Sequence, residues 1–152
     1  MIGSNNMKIL ITGLLIISFF CVNINAFADN GIAIVKSSKG DVKAKRSDEI
    51  LSLLPGVRLQ VGDIIITGSN SRVGIIFNDG SVLSLDENSF FRINDFVFKP
   101  IEKKFKFNLY LENGAALFES GKIGKLAPQN FKFEIPEGTI GIRGTKFLVE
   151  VK

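Results

Sequence analysis

Val61-Gly62-Asp63-Ile64-Ile65-Ile66-Thr67-Gly68-Ser69-Asn70-Ser71-Arg72-Val73-Gly74-Ile75-Ile76-Phe77-Asn78-Asp79-Gly80-Ser81-Val82-Leu83-Ser84-Leu85 decides the fold class of this chain. It joins three short runs of β-branched and aromatic residues through two clusters of Gly, Asn, Asp and Ser. Asn78-Asp79-Gly80-Ser81 between Arg72–Phe77 and Val82–Leu85 is a hairpin signal, because a tight turn needs positive φ, which Gly adopts freely and Asp or Asn tolerates. The segment therefore predicts strands, turns and an all-β domain.

The same pattern extends in both directions. Strands are expected at 31–37, 40–46, 58–60, 64–67, 72–77, 82–85, 89–93, 96–99, 105–111, 115–120, 130–135, 138–142 and 145–151, and no stretch holds a helical period for long. Turns are expected at Ser38-Lys39, Gly62-Asp63, Ser69-Asn70, Asp79-Gly80, Asn113-Gly114 and Pro136-Glu137. Many short strands at close spacing predict a single domain, either solenoid-like or a twisted sandwich. Alternation in Phe105–Leu111 and Asn130–Ile135 predicts one buried and one wet face. The continuous apolar runs Ile64–Ile66 and Gly74–Phe77 predict strands covered on both sides. The expected core is Ile65, Val73, Ile75, Phe77, Leu83, Leu85, Phe107, Leu109, Phe131, Phe133, Ile142 and Phe147.

At the N-terminus, Lys8 precedes the apolar run Ile9–Val22, and Ala26-Phe27-Ala28 follows. This is the order of a secretory signal, so cleavage after Ala28 is expected, leaving residues 29–152 as one domain in the periplasm or outside the cell. The apolar run is short for a membrane span, and Phe20 before Cys21 is too large for lipoprotein processing. The domain would then carry no thiol and would rest on core burial alone. The formal charge of +4, of which Lys8 contributes one, is no polyanion-binding signature.

With no His in the chain, Ser-His-Asp and Cys-His catalysis are ruled out, and a zinc site would lack its usual ligands. The adjacent pairs Asp48-Glu49 and Asp86-Glu87 point to opposite faces of a strand, so they do not converge as glycosidase carboxylates. Asn78, Asp79, Asp86, Glu87 and Asn88 lack the spacing of a calcium loop. Lys99–Lys106 reads as a solubilising hairpin tip rather than a nucleic-acid site. No enzyme, cofactor or metal is expected. The chain has 14 Phe, one Tyr and no Trp, which favours core over carbohydrate stacking. Phe90-Phe91, if exposed as a pair, would mark a partner surface.

Val61-Gly62-Asp63-Ile64-Ile65-Ile66-Thr67, Phe77-Asn78-Asp79-Gly80-Ser81 and Gly141-Ile142-Arg143-Gly144-Thr145-Lys146-Phe147, taken in that order, resemble the FecR domain. The resemblance covers the chain from about Gly31 to its end. It implies a domain of short strands, partly wound like a solenoid, that senses or binds and does no chemistry. In iron-transport regulators such a domain follows a sigma-factor-binding segment and a transmembrane helix; here a signal-like segment precedes it, so a module without a stable membrane anchor is expected. Its partner would be an envelope protein, with polysaccharide as the alternative and no nucleic acid. Gly62, Asp63, Thr67, Asp79, Gly80, Arg143, Gly144 and Thr145 are expected as structural residues. Asp63 would cap backbone amides, Thr67 and Ser69 would close the next turn by short-range bonds, and Arg143 would pair with Asp63 or Asp79.

Overall fold

A computed structural model describes residues 31–142 and 146–152. The strands are β1 (Ala33–Lys39), β2 (Val42–Arg46), β3 (Glu49–Ser52), β4 (Arg58–Leu59), β5 (Ile64–Thr67), β6 (Arg72–Phe77), β7 (Val82–Leu85), β8 (Phe90–Lys99), β9 (Lys104–Glu119), β10 (Phe131–Ile135), β11 (Gly138–Ile140) and β12 (Lys146–Val151). A helix α1 (Lys122–Leu126) and a 3-10 turn (Pro128–Asn130) lie between β9 and β10. Strands dominate a single all-β domain, a curled, mainly antiparallel sheet forming a half-barrel.

The sheet order is β3-β2-β5-β8-β9-β7-β6-β1-β4, with β10 and β12 also paired to β9. The N-terminal part of β9 lies between β8 and β10, and its C-terminal part between β7 and β12. One long strand thus belongs to two wings of the sheet. The chain crosses from wing to wing at β1–β2, β5–β6 and β7–β8, and these corners stack, whereas β2–β3, β6–β7 and β10–β11 are hairpins within one wing. Gly68 N–H donates to the Asp41 carbonyl at 2.9 Å, and Asn88 N–H donates to the Gly68 carbonyl at 3.2 Å. This is the physical content of the expected solenoid-like winding.

The two β9 segments expected from the sequence are one strand. Asn113-Gly114 does not turn the chain back. Phe90 pairs with Asn113 but Phe91 with Leu111, so Glu112 is an extra residue and the site is a β-bulge. Gly114 has φ +96°, and a Cβ there would lie 2.5 Å from Ser89 Cα. The bulge switches which residues face inward: Phe107, Leu109 and Leu111 are buried before it, Ala116 and Phe118 after it. A second shift, after Ile93, lets the two expected strands 89–93 and 96–99 run on as β8.

Two other expectations need correction. Ile64–Ile66 and Gly74–Phe77 are covered on one side only, since Ile65, Ile75 and Phe77 are buried while Ile66 is 40% exposed. The half-barrel packs one face of its sheet and leaves the other wet. Strand β3 and helix α1 were not anticipated. Exposed β3 lacks a buried alternating face, and α1, with Gly124 inside it, has no side-chain cap of its own.

The core between the wings is built on phenylalanine. The Phe107 ring centre lies 4.7 Å from Phe77, 4.8 Å from Phe96, 5.4 Å from Phe131 and 5.8 Å from Phe118, within the range of edge and tilted ring contacts. Of the expected core residues, all but Phe147 are buried; Phe147 is partly exposed and packs on Phe133 and Phe118.

Candidate functional site

The expected site residues occupy corners and turns where a buried polar side chain ties together segments distant in sequence. Gly62 and Asp63 form the turn into β5, where Gly62 N–H donates to the Ile93 carbonyl at 2.8 Å. The fully buried Asp63 carboxylate accepts from Gln60 N–H at 2.8 Å and from Arg46 through both Nε and Nη2, each at 2.8 Å. Arg46 also donates to the Arg58 carbonyl at 2.9 Å. The bond to Asp63 outweighs desolvation and holds the Arg46 guanidinium above its ordinary pKa.

Sequence reasoning passed over Arg46. It stands at the end of β2, 17 positions from Asp63, and no local spacing links them; the usable signal was that a buried carboxylate requires a cation. Arg143, Gly144 and Thr145, on which the alternative pairing rested, lie outside the described residues.

Thr67 is buried, but its bonds are not short-range. Its hydroxyl donates to the Asp86 carbonyl at 2.6 Å and accepts from Ser89 N–H at 2.9 Å. Ser89 donates to the Asp86 carbonyl at 2.8 Å and accepts from Ala115 N–H at 3.2 Å. Ser69 Oγ donates to Asn88 Oδ1 at 3.3 Å. Small hydroxyl side chains thus fasten one stacked corner to the next, supplying bonds that buried backbone at a corner would otherwise lack.

Asp79 and Gly80 form the β6–β7 turn. Gly80 N–H donates to the Phe77 carbonyl at 2.9 Å, and Phe77 N–H to the Ser81 carbonyl at 2.9 Å. Only Gly80 takes positive φ in this turn, at +84°, which describes a three-residue loop ending in a left-handed residue. The buried Asp79 carboxylate accepts from Ser81 N–H at 3.0 Å, from Ser81 Oγ at 2.8 Å and from Ile123 N–H at 3.2 Å. Asp79 therefore caps α1 from far away in sequence, doing for its first turn what no local residue does.

Phe90 and Phe91 are not an exposed pair. Phe91 is fully buried and packs on Phe133 at 6.0 Å, whereas Phe90 is half-buried on the outer face. Neighbours on a strand point to opposite sides, so a Phe-Phe dipeptide within β8 cannot offer both rings to a partner.

The outer face of the wing containing β6 carries a shallow groove of about 360 Å³ lined by Ser37, Arg72, Gly74, Ser84, Asp86, Leu117 and Leu148 among others. Ser37, Gly74, Ser84, Leu117 and Leu148 are in register across five strands. Their small central members leave the depression. At one side Arg72 Nε donates to Asp86 Oδ1 at 2.9 Å, and this bond leads the causes that hold the exposed Asp86 carboxyl below its ordinary pKa. Such a surface offers apolar contact and one ion pair. Among the described residues, no cluster of three or more His, Cys, Asp or Glu gathers to hold a metal ion, and no helix is long and apolar enough to cross a membrane.

The family model described as FecR protein matches residues 63–152. No curated protein and no solved structure matches the chain.

Proposed function

Because the chain belongs to the FecR family, whose model spans more than half of it, we propose that it is an exported, non-catalytic module of envelope signalling that works by recognising a protein partner. The family is one of signalling and regulation at the envelope. The observation that carries the proposal is the match over residues 63–152, a span that begins at buried Asp63. In the matched span, Asp63, Thr67 and Asp79 are spent on holding corners, which leaves recognition to the outer faces and edges of the sheet.

The absence of His and the structural employment of the buried carboxylates support binding over catalysis. The order Lys8, Ile9–Val22, Ala26-Phe27-Ala28 supports export, with cleavage after Ala28 and residues 29–152 forming the working domain in the periplasm or beyond. One alternative is regulation through a membrane-embedded partner. Association with cell-wall polysaccharide is the second, and the lack of Trp weakens it.

Crosslinking in intact cells followed by identification of the captured proteins tests the proposal. An envelope protein crosslinked at defined positions supports it; recovery of monomer alone, under conditions that capture a known envelope complex, refutes it. Mass determination of the mature chain tests export, with an N-terminus at Asp29 expected.

A further inference from the structure

Strands β8 and β9 run on past their described neighbours as a hairpin. The turn into β5 and β5 itself bond to β8 no further along than Ile93, and β10 joins β9 only from Phe107. The end of the hairpin therefore projects from the sheet, with the turn Pro100-Ile101-Glu102-Lys103 at its tip. Ile101 is 99% exposed there. Phe98 and Phe105, paired across the hairpin with ring centres 6.1 Å apart, are only partly buried. Beside them a shallow groove of about 480 Å³ is lined by Pro100, Lys103, Phe105 and Leu126 among others, so the exposed Leu126 at the end of α1 stands next to the tip. Positive charge surrounds this apolar end, since Lys99–Lys106 holds four lysines and one glutamate.

We propose that this hairpin tip docks reversibly on an anionic phospholipid surface, with Ile101 entering the interface and the lysines meeting the headgroup phosphates. Burial of an apolar apex and attraction of a basic ring to anionic lipid add to one another. Lysine stems lie along apolar surroundings while their ammonium groups stay at the polar level. Solubility accounts for the lysines of this tip and leaves the fully exposed isoleucine unexplained. Lys99 and Lys104 stand directly opposite each other across the hairpin, an arrangement that is unfavourable in itself. Both reach the same carboxylate, Glu102, at 3.6 and 2.8 Å, so one anion serves two cations, and lipid phosphates would supply the anions that the hairpin lacks.

The shape of the tip favours lipid over an acidic protein. The apex is convex, and a protein would have to offer a cavity lined with carboxylates to receive it, whereas a lipid interface yields to a protruding side chain. One aliphatic apex and a few charges make a weak and reversible contact rather than an anchor. The contact needs no protein partner, so it and the proposed recognition of an envelope protein stand or fall separately.

Flotation of the purified chain with vesicles of equal parts phosphatidylglycerol and phosphatidylethanolamine should carry it up with the lipid. Binding should exceed that to phosphatidylcholine vesicles and fall as salt rises. Ile101→Ser should leave thermal unfolding unchanged, because the side chain is in solvent, and weaken vesicle binding by about tenfold. Lys103→Asn/Lys125→Gln, which neutralises two exposed lysines beside the groove, should weaken it by a similar factor; Asn suits the φ of +53° at Lys103. Because the chain has no Trp, Ile101→Trp places a single indole at the apex, and its emission should shift to the blue when anionic vesicles are added. Ile50→Trp, on β3 level with Arg92 and so well back from the tip, should not shift. The apolar run Ile9–Val22 is common to all variants, so their differences read the tip. A chain indifferent to anionic vesicles, binding unchanged by Ile101→Ser, or an indole at position 101 that keeps its aqueous emission overturns the proposal. A tip that ignores vesicles and crosslinks to an acidic protein overturns it in favour of a protein dock.

Discussion

The Arg46 guanidinium and the Asp63 carboxylate meet through two bonds of 2.8 Å, with Asp63 fully buried and the Arg46 side chain 28% exposed. Arg46→Ala leaves a buried carboxylate with the Gln60 amide alone for support in that turn. Breaking one side of a buried pair is costly because the remaining charge stays desolvated. Since Arg46 keeps some contact with solvent, the expected loss is about 2 to 4 kcal/mol, read from urea unfolding. Arg46→Lys should not restore it, because an ammonium cannot reproduce the two-pronged contact. A loss below about 0.5 kcal/mol would place this pair with ordinary surface ion pairs.

The Phe90-Phe91 dipeptide offers a sharp contrast. Phe91→Ala opens a cavity beside Phe133 and should cost about 3 to 5 kcal/mol. Phe90→Ala, on the half-wet face, should cost about 1 kcal/mol or less. Thermal unfolding of the two variants side by side checks the inward and outward assignment. Equal losses would contradict it.

Gly114 carries the bend of β9. Gly114→Ala demands positive φ of an L-residue and drives a methyl group into the Ser89 backbone, so destabilisation of about 1 to 3 kcal/mol is expected. Adding Ser89→Gly should recover little of it, because the Ser89 Cα is itself 2.5 Å from the added carbon. Denaturant titration of the single and double variants distinguishes backbone crowding from a clash with the hydroxyl alone.

Asp86 gives the pH dependence a sign. Its carboxyl is held below the ordinary value, first by the Arg72 hydrogen bond and next by the Glu87 amide. A group depressed in the folded state contributes stability above its unfolded pKa and loses that contribution as pH falls through the folded one. Carboxyl NMR titration should find Asp86 protonating at lower pH than an exposed aspartate, with Arg72→Ala moving it upward. High salt should shrink the difference, because the pair lies in solvent.

Local signals made much of this fold legible. Strands 64–67, 72–77 and 82–85 occur with the bounds that the sequence predicts, because each is framed by turn residues whose backbone preference is intrinsic. Asn113-Gly114 was misread for a physical reason: the same dipeptide serves a hairpin turn or a bulge, and the choice depends on whether a neighbouring strand continues past it, as β8 does. Glu49–Ser52 was missed because it pairs at an exposed edge and presents no buried face to shape a pattern. Helix α1 was missed because its first turn is capped by Asp79 from another part of the chain.

The sequence by itself determined the all-β class, the exclusion of His-dependent catalysis and the core residues of the hairpin, since these follow from residue type and local backbone preference. Only the tertiary structure decided that Asp63 belongs to Arg46, that Thr67 and Ser89 fasten neighbouring corners, and that Phe91 turns inward while Phe90 does not. Those relations join residues far apart in sequence. They exist only once the wings have closed on their phenylalanine core and desolvated the polar groups at the corners, which is what makes each of their partners necessary.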